Sequence, residues 1–306
     1  MRADELRWRT VSVRGGMGHP DVALRVGEVG SGAPVGVLVA GVHGDEGPWA
    51  LLAIHHLLEG LGQEEVVGTL RVLPSANPLA VQIDRRENDL DGLDLNSCFP
   101  GSETGTHTQR LAAAITSHGL GGADFVLDVH GGGSWNINCF AYQLRGSEEL
   151  ARWLGTTLVA DAPDRSTSLT GHAVALGAKA VWIEAGGRGA RELARAKELA
   201  LGLRHALGRA QVLTPGPDPE KVPGYARLKD RVVNSVGGIY VPELGEDALG
   251  TTVPQGTIIG RMLDPVTGEV LEEYRAPYPE TTLALLRPSV ACIDSPGKAL
   301  AVVASL

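Results

Sequence analysis

Three short runs of the sequence set metal- or proton-binding side chains at the ends of apolar stretches. In "VLVAGVHGDEG" an apolar run ends on a glycine and delivers His43 and Glu46; "VLDVHGGG" delivers Asp128 and His130, and "VWIEAGG" delivers Glu184. Glycines follow each run and let the backbone turn tightly. His43 and Glu46 are three residues apart at a strand-to-helix junction, so both side chains can enter one cleft. With one distant histidine they complete a two-His, one-Glu set, common at catalytic zinc: three protein ligands and a fourth position for water. A metal held this way lowers the pKa of its water towards ~7 and can polarise a carbonyl. Alone, His-x-x-Glu reads as a polar turn; His130, closing a second apolar run, favours the metal. Asp128 lies two residues earlier on the same strand face, where it either orients a ligand histidine or bonds a neighbouring loop. Glu184 sits among apolar neighbours, and burial raises a carboxylate pKa. That suits a general base working near neutrality; the plainer reading is a structural carboxylate paired with Arg188 or Lys179.

These groups need strands to carry them. Residues 35–208 read as alternating strands and helices, which implies an α/β layer fold with a largely parallel sheet. "PVGVLVAG", "TLRVLPSA", "ADFVLDVHGGG" and "KAVWIEAGG" are the strands; "PWALLAIHHLLEGL", "HTQRLAAAITSHG", "SEELARWLGTTL" and "GARELARAKELALGLRHALG" are the helices. Ligands of an open α/β sheet gather at the carboxyl ends of its strands, where the three runs deposit their polar residues. The stretch "NPLAVQIDRRENDLDGLDLNSCFPG" has no clear periodicity and reads as a loop. Loops longer than ~12–15 residues are usually functional or disordered; this one offers Arg85, Arg86, Asp94 and Asn96 to a cleft. The glycines at 131–133 lack dinucleotide-fingerprint spacing and are expected to leave room for metal or substrate. From Thr214 to Gly224 prolines crowd a linker-like stretch, and short strand-like pieces such as "GGIYV", "GTIIGRML" and "KALAVVA" follow. They predict a small all-β domain of roughly 80 residues.

Composition narrows the partners. The 306-residue chain carries a formal net charge of -9 and 4% aromatic residues, with no Lys/Arg cluster. That argues against nucleic acid and anionic membranes as partners. No signal-peptide pattern and no apolar run of ~18 residues is apparent. The cysteines, Cys98, Cys139 and Cys292, form no CxxC pair; a cytoplasmic location is expected.

Taken together, "GVHGDEG", the long loop, "VLDVHGGG" and "IEAGG", in that order over residues 41–187, resemble the succinylglutamate desuccinylase/aspartoacylase family, relatives of the zinc carboxypeptidases. The Gly-rich β tail is also similar to that family's C-terminal region. The resemblance implies one Zn2+ per chain held by His43, Glu46 and His130, with Glu184 as general base. It further implies Arg86 polarising the scissile carbonyl, Asp94 partnering the first zinc histidine, and Asn96 helping to hold substrate. A carboxylate on the far ring nitrogen fixes a ligand histidine's tautomer. The family pattern continues "DLNR", and its arginine pairs with a substrate carboxylate; here that position is Ser97. Arginine is the natural bidentate partner of a carboxylate, and serine offers one neutral hydroxyl. Arg85, Arg110 or Arg188 could substitute, or the substrate lacks a carboxylate there.

The expected fold is therefore α/β: a zinc-carboxypeptidase-like mixed, mostly parallel sheet flanked by helices over residues 1–215. A small C-terminal all-β domain over residues 225–306 is expected to wall the cleft. The expected function is zinc-dependent hydrolysis of the amide bond of a small N-acyl amino acid or related N-acyl amine. Glu184 and Arg86 would act on the reaction, Asn96, Arg85 and Ser97 would contact substrate, and Asp94 and Asp128 would support the ligands. A carboxypeptidase-like peptidase, an esterase and a catalytically inactive binding protein are the alternatives. A homo-oligomer is compatible with all of them.

Overall fold

Two strands that the alternating pattern does not announce come first: β1 (Arg7–Val13) and β2 (Val22–Gly30), paired antiparallel. The computed structural model describes residues 5–305 apart from 17, 145, 217–223 and 226. The alternating region follows as β3 (Val35–Ala40), α1 (Gly47–Glu59), β4 (Thr69–Leu73), α2 (Pro78–Ile83), α3 (His107–Ala114) and β5 (Phe125–His130). It continues with β6 (Ile137–Gln143), α4 (Glu148–Arg152), β7 (Leu158–Asp161), α5 (Leu169–Ala175), β8 (Lys179–Gly186) and α6 (Glu192–Arg209). Most of the proline-rich stretch read as a linker lies outside the described residues. Beyond it are β9 (Gly224–Tyr225), β10 (Arg227–Val233), β11 (Gly238–Pro242), β12 (Thr252–Pro254) and β13 (Ile258–Leu263). The last are β14 (Val270–Arg275), β15 (Glu280–Leu286), β16 (Ala291–Ile293) and β17 (Ala299–Ser305).

The fold is α/β with a large mixed sheet. Its centre, β4-β3-β5-β8, is parallel. Strand β3 shows why the sequence builds it: a strand's side chains alternate between faces, and both faces of this one are apolar. Leu38 and Ala40 join one core with Ile54 and Leu57 of α1 and Leu203 of α6. Val37 and Val39 join a second core with Leu111 of α3 and Leu169 of α5. Each fully buried aliphatic side chain contributes about 1.5–3 kcal/mol. The same parity runs through β5 and β8. Leu127, Val129, Val181 and Ile183 face the first core, and Val126 and Ala180 face the second. Asp128, His130, Trp182 and Glu184 therefore share the second face.

Beyond β8 the sheet turns antiparallel through β6, β15, β17 and β10. Strands β14-β13-β11-β16 form a second, antiparallel sheet. Its core, around Tyr240, Met262 and Tyr274, also takes in Ile137 of β6 and Leu283 of β15. Two local differences from the sequence reading have plain causes. The aperiodic stretch contains helix α2, because Asn77 accepts a hydrogen bond from the Ala80 N–H as N-cap and Pro78 occupies the first turn. The helix expected to run to Gly119 is α-helical only to Ala114 and widens into a π turn over Ile115–Leu120.

Candidate metal and hydrolytic site

Gly41 ends β3 with φ +69°, a conformation that favours glycine, and a Cβ there would also lie 2.9 Å from the Val81 side chain. This turn sends His43 back over the sheet end. A 3-10 turn, Gly44–Glu46, then leads into α1 and buries Glu46 beside the histidine. His130 is the last residue of β5 and fully buried. One ligand atom from each of His43, Glu46 and His130 falls within 4.8 Å of the others. His43 Nδ1 lies 3.0 Å from Glu46 Oε1, His130 Nδ1 lies 2.9 Å from Glu46 Oε2, and the two Nδ1 atoms are 3.1 Å apart.

The outer nitrogens are held by carboxylates. His43 Nε2 lies 3.2 Å from Asp94 Oδ1, and His130 Nε2 lies 3.0 Å from Asp128 Oδ2. An Nε2–H donated outward leaves the Nδ1 lone pair facing inward, the tautomer a metal requires. Arg86 Nη1, 3.3 Å from His43 Nδ1, brings one positive charge to the edge of this set, and two inward lone pairs with a carboxylate are the donor types that fit a divalent cation. Burial works against protonating either histidine. Glu46 and Asp94 nonetheless raise the pKa of His43, and Asp128 and Glu46 raise that of His130. Burial would likewise raise Glu46, but the two histidines hold it well below the usual carboxylate range. A proton and a metal thus compete for the same atoms.

Glu184 sits on β8 in register with His130 on β5. The Asn138 Nδ2 group donates to its Oε2 at 2.7 Å. Burial, then the negative charge of Glu46, pushes its pKa up to about 7. The structural-pair reading of Glu184 fails: Arg188 pairs with Asp84, and the Lys179 ammonium lies over the Phe125 ring. Arg86 donates to Asp94 Oδ2 at 3.0 Å and to Glu46 Oε1 at 3.4 Å, with its side chain 45% exposed. Arg86 and Glu184 both line a cavity of about 690 Å³. Strands β10, β15 and β17 supply Arg231, Leu285 and Val302 to the same lining.

Other expected contacts fall elsewhere. Arg85 pairs with Asp89 at 3.1 Å, both side chains two-thirds exposed, and Ser97 is exposed; neither is in the cavity lining. Asn96 Oδ1 accepts from the Leu169 N–H at the start of α5, while its Nδ2 is buried without a partner among the described residues. Arg110 is bound to the carbonyls of Arg14, Gly15 and Gly105, away from the cavity. The glycines at 131–133 do not make room for metal or substrate. A Cβ on Gly131 would lie 2.3 Å from the Trp49 ring, and one on Gly132 would meet the Asn136 carbonyl. They let the loop fold closely on its neighbours instead. Burial and then Asp91 raise the Cys98 thiol, so it is no ready nucleophile.

The sequence reading missed Asn138, Tyr142 and Trp182. Asn138, Phe140 and Tyr142 alternate along β6, and all three line the cavity. The period-two signal in "INCFAYQ" was there to be read. Trp182 stands edge-on to His130 with ring centroids 5.6 Å apart.

Comparison with known proteins agrees with this geometry. The succinylglutamate desuccinylase/aspartoacylase catalytic domain, as a family profile, matches residues 33–208. An N-alpha-acetyl-L-2,4-diaminobutyric acid deacetylase of Halomonas elongata is 33% identical over 130 residues, 42% of this chain and 35% of the relative. The match therefore spans about a third of that relative's length. A succinylglutamate desuccinylase/aspartoacylase of Rhodobacter sphaeroides shares the fold with TM-score 0.80 at 23% identity, covering 100% of this chain and 98% of its own. The product-bound ectoine utilization protein EutE (DoeB) of Ruegeria pomeroyi does so with TM-score 0.82 at 24% identity, covering 98% and 95%.

Proposed function

The chain belongs to the succinylglutamate desuccinylase/aspartoacylase family, and from that premise we propose that it is a metal-dependent deacylase of small N-acyl amino acids. His43, Glu46 and His130 would hold the ion, with zinc the first choice for two imidazoles and a carboxylate. When bound, such an ion lowers the pKa of water and polarises a carbonyl. Glu184 takes a proton from the attacking water and delivers it to the leaving amine. Its place beside His130 and its pKa near 7 suit both transfers. Arg86 presents N–H donors to the oxygen on which negative charge develops; losing one such donor typically costs ~10²–10³-fold in rate. Asp94 and Asp128 keep the two histidines in the tautomer that faces inward. Asn96, next in the chain but one to Asp94, ties this loop to the start of α5 through the Leu169 N–H.

The observation that carries the reading is the register of β5 and β8. Glu184 pairs with His130, one of three residues that could hold a metal ion, and lines a cavity sized for a small molecule, which supports the reading. The test is hydrolysis by zinc-reconstituted protein of N-acyl amino acids, N-acyl diamines, N-alpha-acetyl-L-2,4-diaminobutyrate and short peptides. Zinc-dependent release of the amine from N-acyl amino acids is expected. Faster cleavage of peptides, or no hydrolysis of any N-acyl compound, overturns the proposal.

A further inference from the structure

Ser97 leaves the site without an arginine where the family pattern has one, and the obvious substitutes are engaged elsewhere. Arg85 pairs with Asp89, Arg188 pairs with Asp84, and Arg110 is spent on backbone carbonyls. Two other arginines face the cavity that holds Glu184: Arg165, in the segment between β7 and α5, and Arg231, on β10. Neither makes an ion pair among the described residues. Two carboxylates nearby are already bonded: Asp230 accepts the Tyr278 hydroxyl, and Asp161 accepts the Tyr225 hydroxyl and the Gln143 amide. The Arg165 guanidinium lies over Trp182, 5.3 Å from the ring centroid. Trp182 in turn is 5.1 Å from the Tyr142 ring. Tyr142 lines the cavity with them, and the positive charges of Arg231 and Arg165 oppose the upward push that burial and Glu184 give its hydroxyl. Two guanidiniums without ion-pair partners thus line one cavity, Arg165 over an indole, and guanidinium forks suit a planar anion.

Resting on the deacylase reading, we infer that Arg165 and Arg231 form the subsite that grips the substrate's carboxylate. The anion-binding role thus moves from position 97 to a wall built from β10 and the segment ahead of α5. The preferred substrates are then N-acyl amino acids with a free carboxylate, and their carboxamides and N-acyl amines are poor ones. The segment ahead of α5 is exposed and β10 is largely so, so both side chains can be exchanged without opening the core.

The test uses the zinc-loaded full chain carrying Glu184→Gln, whose turnover is expected to be slow enough for binding to be read. Calorimetric titration with a panel of N-acetyl-L-amino acids and their carboxamides should show the acids binding at least tenfold more tightly. Adding Arg165→Gln or Arg231→Gln should weaken the acids at least tenfold and leave the carboxamides within about twofold. Equal binding of acid and carboxamide overturns the subsite. So does an equal loss of both in the arginine variants, or no binding by any acid. Acid-selective, arginine-dependent binding without hydrolysis by the unmodified zinc-loaded chain would leave the subsite standing and sink the deacylase reading.

Discussion

Glu184→Gln tests the role of Glu184 through stability as well as rate. Burial and the charge of Glu46 raise the Glu184 pKa to about 7 in the folded chain, against about 4.3 in an unfolded one. A carboxyl whose folded pKa is raised stabilises the fold fully only below its unfolded pKa. That contribution is lost as pH rises through the folded value. For metal-free protein the loss is about 1 kcal/mol at pH 5 and about 3–4 kcal/mol at pH 8. Glutamine stays neutral throughout and can still accept the Asn138 amide hydrogen bond. Metal-free Glu184→Gln should therefore melt above the unmodified protein by about 1–2 °C at pH 5 and by about 5 °C at pH 8. Thermal denaturation of chelator-treated proteins at both pH values gives the difference, and titrations common to both proteins largely cancel in it. With zinc restored, the variant should bind the metal yet lose ~10²–10⁴-fold in turnover. A gap that does not grow with pH, or full activity in the variant, refutes the argument.

Asp128→Asn should weaken zinc binding ~10–100-fold, read by competition with a chromogenic chelator, because the fixed tautomer of His130 is lost. Arg86→Gln should leave zinc stoichiometry near one and lower kcat ~10²–10³-fold, checked by metal analysis beside steady-state rates. Gly131→Ala should cost about 1–3 kcal/mol in denaturant unfolding, since its methyl would press on the Trp49 ring.

The parts visible in the sequence are those in which side-chain type and strand order fix the outcome. Apolar runs ending in His43, His130 and Glu184 have to become adjacent buried strands, and ligands of such a sheet collect at one end of it. Asp128 lay open between two roles, and the two-residue strand repeat decided it by placing its carboxylate on His130. Arg85 and Arg86 are neighbours in one loop, and only backbone path separates the arginine that reaches Asp94 from the one that pairs at the surface with Asp89. No pattern of residue types encodes that difference. Arg165 and Arg231 are 66 positions apart, and sheet pairing, not spacing, brings them to one cavity. Nor does a triple glycine tell whether its space is filled by a ligand or, as at Gly131, by an indole.

The hydrogen bonding of β15 to β6 has a further consequence. Asn138, which holds Glu184, pairs in register with Leu285, and the chain from β15 through β17 to Arg231 on β10 is one continuous ladder. The cavity wall and the candidate base are thus stitched into a single fabric. A chimaera that borrows residues 225–306 from a relative to change selectivity would tug on the seam behind Glu184 as well. Retuning this protein by point substitution at the wall disturbs less than grafting, because it leaves the seam intact.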